Sequence, residues 1–173
     1  MDSRDSSGTR VRLAELPQDL IVMINASSPA EVASAANVVA RALARHTAPE
    51  LTVRCTGEQF VVSPGDHHPI VAMFAFRRRP ELTRASAQRH WRDKHALIGY
   101  RFPGNRGSGY RQFHPPTDAD GITGPGPFDG ITTGHYPSIE FMRAGREHPE
   151  YAREAFEDVS RFAEYSKSSN VVF

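Results

Sequence analysis

The sequence predicts an α+β protein built on a ferredoxin-like sheet, with the order β-α-β-β-α-β and its helices on one face. Two observations carry this reading. A nearly continuous apolar run at residues 70–76 has the look of a central strand, and two stretches of helical periodicity, at 83–97 and 138–162, alternate with β-rich runs at 110–113, 128–136 and 171–173. A third observation sets the boundary: a separate β-α-β-β pattern precedes the main domain. The expected organisation is a disordered arm over 1–10, an N-terminal segment over 11–65, and a main domain over 66–173.

Each element has its own local reason. Residues 20–24 form a short apolar run closed by the polar cluster at 25–28, which predicts a strand. Ser28, Pro29 and Glu31 then stand at N-cap, N1 and N3: an acceptor for orphan amides, a preset φ, and a carboxylate near the positive end of the dipole. Val32, Ala35, Ala36, Val39, Ala42 and Leu43 recur at helical spacing to about His46. Runs at 51–55 and 59–62 flank Thr56-Gly57-Glu58 and predict a tight hairpin, and Ser63-Pro64-Gly65-Asp66 punctuates the end of the segment. In the main domain, Ala87, Trp91 and His95 lie at i, i+4 and i+8, so a regular helix turns all three inward. Half of the chain's 13 glycines and 13 prolines fall between 99 and 130, which predicts two irregular loops around the strand at 110–113. Gly130 and Gly134 blur the register of the strand at 128–136. Tyr151, Ala155, Val159 and Phe162 share one face of the last helix.

Composition bounds the function classes. The 173 residues are 39% apolar and 24% charged, an ordinary globular balance. With 21 basic and 20 acidic side chains, no summed field of one sign draws in nucleic acid or anionic lipid. The one cysteine, Cys55, supports neither an internal disulfide nor a thiolate cluster. The polar start lacks a signal peptide's apolar core, and no run approaches the length of a membrane span. A cytoplasmic protein with neither nucleic acid nor membrane as partner is the expectation.

Four pieces in order carry a resemblance: residues 76–82 (FRRRPEL), 91–96 (WRDKHA), Phe128-Asp129-Gly130, and Glu157-Asp158 with Phe162. Over roughly 69–173 the chain resembles the EthD-type family of dimeric α/β-barrel proteins. The resemblance implies that two ferredoxin-like units pair their sheets into a barrel as a homodimer, with a pocket in each unit between sheet and helices. The N-terminal segment is the competing cover for the exposed sheet face. The wider superfamily includes polyketide cyclases, decarboxylases, isomerases, small monooxygenases and haem-binding proteins, so the fold does not choose a reaction.

His95 is the chief candidate for chemistry, and its family counterpart lines the pocket. An imidazole titrates near neutral pH and so serves as acid or base toward a phenol or an activated carbon; its structural alternative is to cap carbonyls at a helix end. Asp158 is the second candidate, either orienting the imidazole or acting as a buried anchor. Tyr110 offers a phenolic donor to an enolate oxygen or is a packing residue. Trp91, Phe113, His135, Tyr136 and Phe162 complete the expected pocket. Residues 132–135 (TTGH) make their strand more polar than the family pattern, which marks either a new ligand or an exposed face. His114 with His135 lacks the spacing of a metal site, and the glycines at 104–109 and 121–126 form no dinucleotide loop, so neither metal nor cofactor is expected. Residues 77–79 (RRR) attract an anionic substrate or simply form a solvated strand end. Three functions follow: a cofactor-independent lyase or isomerase acting on a small aromatic or polyketide-like compound, a non-catalytic binding or assembly protein, or a haem-binding or monooxygenase-like protein.

Overall fold

A computed structural model of the chain describes residues 22–46, 56–65, 68–101, 108–116 and 128–172. The chain divides into two compact units, one holding the first helix and the other the sheet. In the first unit α1 spans Pro29–Leu43. Its start follows the local code: the Ser28 hydroxyl accepts from the Glu31 amide at 3.3 Å, and the Glu31 carboxylate accepts from the Ser27 hydroxyl at 2.8 Å. None of its residues is buried. Residues 22–24 are not in a strand, and the expected runs at 1–10 and 51–55 lie outside the described residues.

The second unit contains β1 (Glu58–Val61), β2 (Ile70–Phe76), α2 (Arg84–His90), a π-helical turn (Trp91–His95), α3 (Ala96–Arg101) and β3 (Arg111–His114). It continues with β4 (Gly130–Tyr136), α4 (Ile139–Arg146), α5 (Pro149–Phe162), a 3₁₀ turn (Tyr165–Lys167) and β5 (Ser169–Val172). The strands form one antiparallel sheet in the order β1-β3-β4-β2-β5.

This order corrects two expectations. The sheet is open and neither closed nor curled into a barrel: β1 and β5 end it on opposite sides, and closure would have to join those two edges. The dimeric α/β-barrel implied by the resemblance is therefore not the fold of this chain. The strand at 58–61, expected in the N-terminal segment, instead pairs with β3, Phe60 opposite Gln112, and becomes the fifth strand of the main sheet.

Alternation along β2 sends Ala72, Phe74 and Phe76 to the helix side. There Phe76 meets Trp91 edge-on at 4.8 Å and Phe162 at 5.1 Å, with Ala87, Val159 and Ala163 closing the cluster. Burying each large ring stabilises the unit by about 1.5–3 kcal/mol. Met73 and Ala75 point to the opposite face, yet both are buried within the chain itself.

Gly130 and Gly134, expected to blur the register, leave β4 paired with β2 along its whole length. They make room instead. A Cβ at 130 would lie 2.6 Å from the Trp91 ring, and one at 134 would lie 2.9 Å from the Tyr136 hydroxyl.

Asp129 is the principal polar anchor. Its carboxylate accepts from Arg84 Nε and from the Arg78 amide, both at 2.9 Å, while its carbonyl accepts from Gln88 Nε2 at 3.0 Å. With Arg84 also donating to the Pro116 carbonyl, these bonds tie α2 to the ends of β2 and β4. Asp129 and Arg84 are both buried, so the pair's attraction and hydrogen bonds must offset a desolvation cost of several kcal/mol per ion.

Candidate active site

The helix that follows Thr83 begins regularly, with the Thr83 hydroxyl accepting from the Ser86 amide at 3.1 Å. At Trp91 it widens: the Ala96 amide donates to the Trp91 carbonyl, an i to i−5 bond. Gln112, fully buried on β3, adds a second donor to that carbonyl through Nε2 at 3.3 Å. The widened turn changes which side chains share a face. In an α-helix, residues five apart point about 140° away from each other. Here His90 and His95 converge on one carboxylate.

That carboxylate belongs to Asp158 on α5. His95 Nδ1 lies 3.0 Å from its Oδ2, and His90 Nε2 lies 2.9 Å from its Oδ1. Asp158 is buried, His95 is 15% exposed and His90 is 29% exposed. Burial pushes the Asp158 carboxyl up, but the hydrogen bonds from His95 and His90, with their charges, outweigh it and hold it below the usual range. An ionised carboxylate only accepts, so the ring nitrogens facing it carry hydrogen. Neutral His95 then presents Nε2, and neutral His90 presents Nδ1, as lone-pair acceptors.

The expected site residues fall into separate groups. His95 and Asp158 are in direct contact, and Phe162 lies beside His95 with ring centres 5.3 Å apart. Trp91 and Phe162 are fully buried in the main core, packed against Phe76. Tyr110 belongs to a buried polar chain: Gln112 Nε2 donates to its hydroxyl at 2.9 Å, and His114 Nε2 bonds to Gln112 Oε1 at 3.1 Å. Burial pushes the Tyr110 phenol up, so it remains protonated. Tyr136 packs with Ala72 and Met142 in a second small cluster. Phe113 and His135 lie on the sheet face away from the helices, since the register sets them in phase with Ile131 and Thr133, and His114 lies on the other side. The arginines at 77–79 make bonds near their own strand end: the Arg77 amide donates to the Ser168 hydroxyl at 3.2 Å, the Arg78 amide to Asp129, and the Arg79 side chain to Glu81 and, at 3.0 Å, to the Ser160 carbonyl.

Two clefts flank this centre. One, of about 520 Å³, runs between the α2–α3 stretch and α5 and is lined by His90, Asp158, Lys94, Leu97, Ile98, Arg101 and Arg161. The other, of about 470 Å³, includes His114, Gln88, Arg89, Arg92 and Phe60. His114 stacks on Trp91 with ring centres 4.6 Å apart and meets Phe60 edge-on at 4.7 Å. Sequence reasoning missed His90, because helical spacing places it away from His95 and only the π turn unites them. It also missed Gln112, whose bond to the Trp91 carbonyl reaches a helix distant in sequence.

Among the described residues, no group of three His, Cys, Asp or Glu side chains is placed to hold a metal ion. None of the described helices is long and apolar enough to cross a membrane. Neither the curated proteins nor the solved structures contain a match to the chain. The EthD domain profile matches residues 79–166, slightly more than half of the 173, and spans the π turn, Asp129, β4 and all of α5. By that match the chain belongs to the EthD domain family, carried here on an open five-stranded sheet.

Proposed function

We propose that the chain is a cofactor-independent lyase or isomerase acting on a small aromatic or polyketide-like compound, with His95 as its acid or base. The observation behind this reading is the 3.0 Å bond between His95 Nδ1 and Asp158, which fixes the tautomer and leaves Nε2 with the lone pair. In that role Nε2 takes a proton from an activated carbon or a phenol and returns it to the rearranged product. Asp158 stabilises the imidazolium formed between the two transfers, and His90 steadies the same carboxylate from its other oxygen. A cytoplasmic setting accords with the single cysteine.

A screen of aromatic acids and polyketide-like compounds tests the reading by comparing wild type with His95→Gln. Loss of turnover by about 10²–10⁴-fold, with unchanged thermal unfolding, is the expected result. Equal turnover by both proteins would sink it.

A non-catalytic binding protein is the second reading, favoured by the dense packing of Trp91 and Phe162 against Phe76, which fills the space between helix and sheet at that point. Ligand binding without turnover of any bound compound would select it.

A further inference from the structure

The cleft beside Asp158 has a chemical character of its own. Lys94, Leu97, Ile98 and Arg101 recur at i, i+3, i+4 and i+7 across the end of the π turn and α3, so they form one wall. Asp158 and Arg161 face them from α5. The floor is hydrocarbon: Ile98 is buried, while Leu97 is 59% exposed and offers its side chain to the opening. The rim is cationic.

The three cations are not equally engaged. Arg101 is paired with Glu154, and Arg161 stands 3.9 Å from Asp158 Oδ1. Lys94 has no ion-pair partner among the described residues. The Asp158 carboxylate is itself capped on both oxygens by histidines, which shields an incoming anion from it. An apolar floor with an uncommitted ammonium at its edge suits an anion attached to an apolar body.

We infer that this cleft binds a small organic carboxylate, with its apolar part on Leu97 and Ile98 and its carboxylate at Lys94 and Arg161. The inference rests on the proposed reacting centre, of which it names the substrate class: His90 and Asp158 line the cleft, and His95 is held on the other oxygen of that same carboxylate.

Benzoate, its neutral isostere benzamide, and acetate are titrated into the full chain, with amide chemical shifts followed by NMR. Benzoate is expected to bind saturably, with the largest shifts in Lys94–Arg101 and Asp158–Arg161. Benzamide and acetate should each bind at least about tenfold more weakly, one lacking the charge and the other the apolar body. Lys94→Gln, an exposed change, should weaken benzoate about tenfold and leave benzamide unaltered. Absence of benzoate binding, equal binding of benzamide, shifts centred elsewhere, or indifference to Lys94→Gln would each overturn the inference. Failure of the catalytic reading looks different: His95→Gln would then leave turnover unchanged while benzoate still depended on Lys94.

Discussion

His114 should make the main unit acid-sensitive in a defined window. Burial, reinforced by the charge of Arg92 and only partly countered by Asp93, pushes its imidazole down from the ordinary 6.5 to about 4. Its ring lies between Trp91 and Phe60, with Nε2 bonded to Gln112 Oε1, so the fold holds it neutral. As pH falls below 6.5 the unfolded chain takes up this proton first. The stability it leaves intact above 6.5 is therefore lost between 6.5 and about 4, at about 1.4 kcal/mol per pH unit, and is level below. The total is about 3 kcal/mol. Trp91 is the chain's one tryptophan and stands in the core, so urea unfolding followed by its fluorescence reports this unit. The comparison is wild type against His114→Phe at pH 7, 6, 5 and 4.5. Phenylalanine keeps the stack and removes the titration; the lost bond to Gln112 adds a constant offset of about 1–2 kcal/mol. The stability gap between the two proteins should shift toward the variant by most of that total over the series. A gap independent of pH would refute the argument. Should His114→Phe fold too poorly to measure, His114→Gln keeps a donor and also lacks the titration.

Asp158→Asn removes the charge that two histidines share. Because the Asp158 carboxyl sits below its ordinary value in the fold, its contribution is present above that value and is lost as pH falls through the depressed one. Acid titration of unfolding should therefore be shallower at its lowest end for Asp158→Asn than for wild type, and an unchanged profile would count against the coupling. Asp129→Ala strands Arg84 in a buried site and should cost about 3–5 kcal/mol in urea unfolding, with Arg84→Met/Asp129→Leu recovering part of it. Gly130→Ala drives a methyl against Phe76 and Trp91, neither of which has room to move; a loss of about 1–3 kcal/mol in thermal or urea unfolding is expected.

What was legible in the sequence is what local physics decides. The Ser28-Pro29-Glu31 start of α1 is a short-range code and reads directly, and the apolar run at 70–76 is β2, an interior strand between β4 and β5. The strand near 59–62 was visible as a β-rich run, but its partner was not: register across more than fifty residues is set by the tertiary fold, and Gln59 pairs with Phe113. Asp129 was quoted only as part of a resemblance, because a carboxylate beside a glycine in a loop looks solvated until Arg84 and the Arg78 amide are seen to surround it. The contact between His95 and Asp158 was within reach of sequence reasoning because both stood on helices expected to pack together. His90 was not, since a regular helix sends it elsewhere. The closed barrel came from family likeness, and nothing in the run of residues required the sheet's edges to meet.

The π turn puts the helix out of phase with itself. Upstream of it the screw is set by Ala87 and Trp91 against the sheet; downstream it is set by Leu97, Ile98 and Arg101 along α5. One extra residue in the winding lets a single continuous rod answer to two neighbours whose directions no uniform pitch would satisfy. Substitutions that repack the hydrophobic layer and substitutions that reshape the charged furrow can thus accumulate separately on the same rod, with the loosened winding absorbing the difference between them.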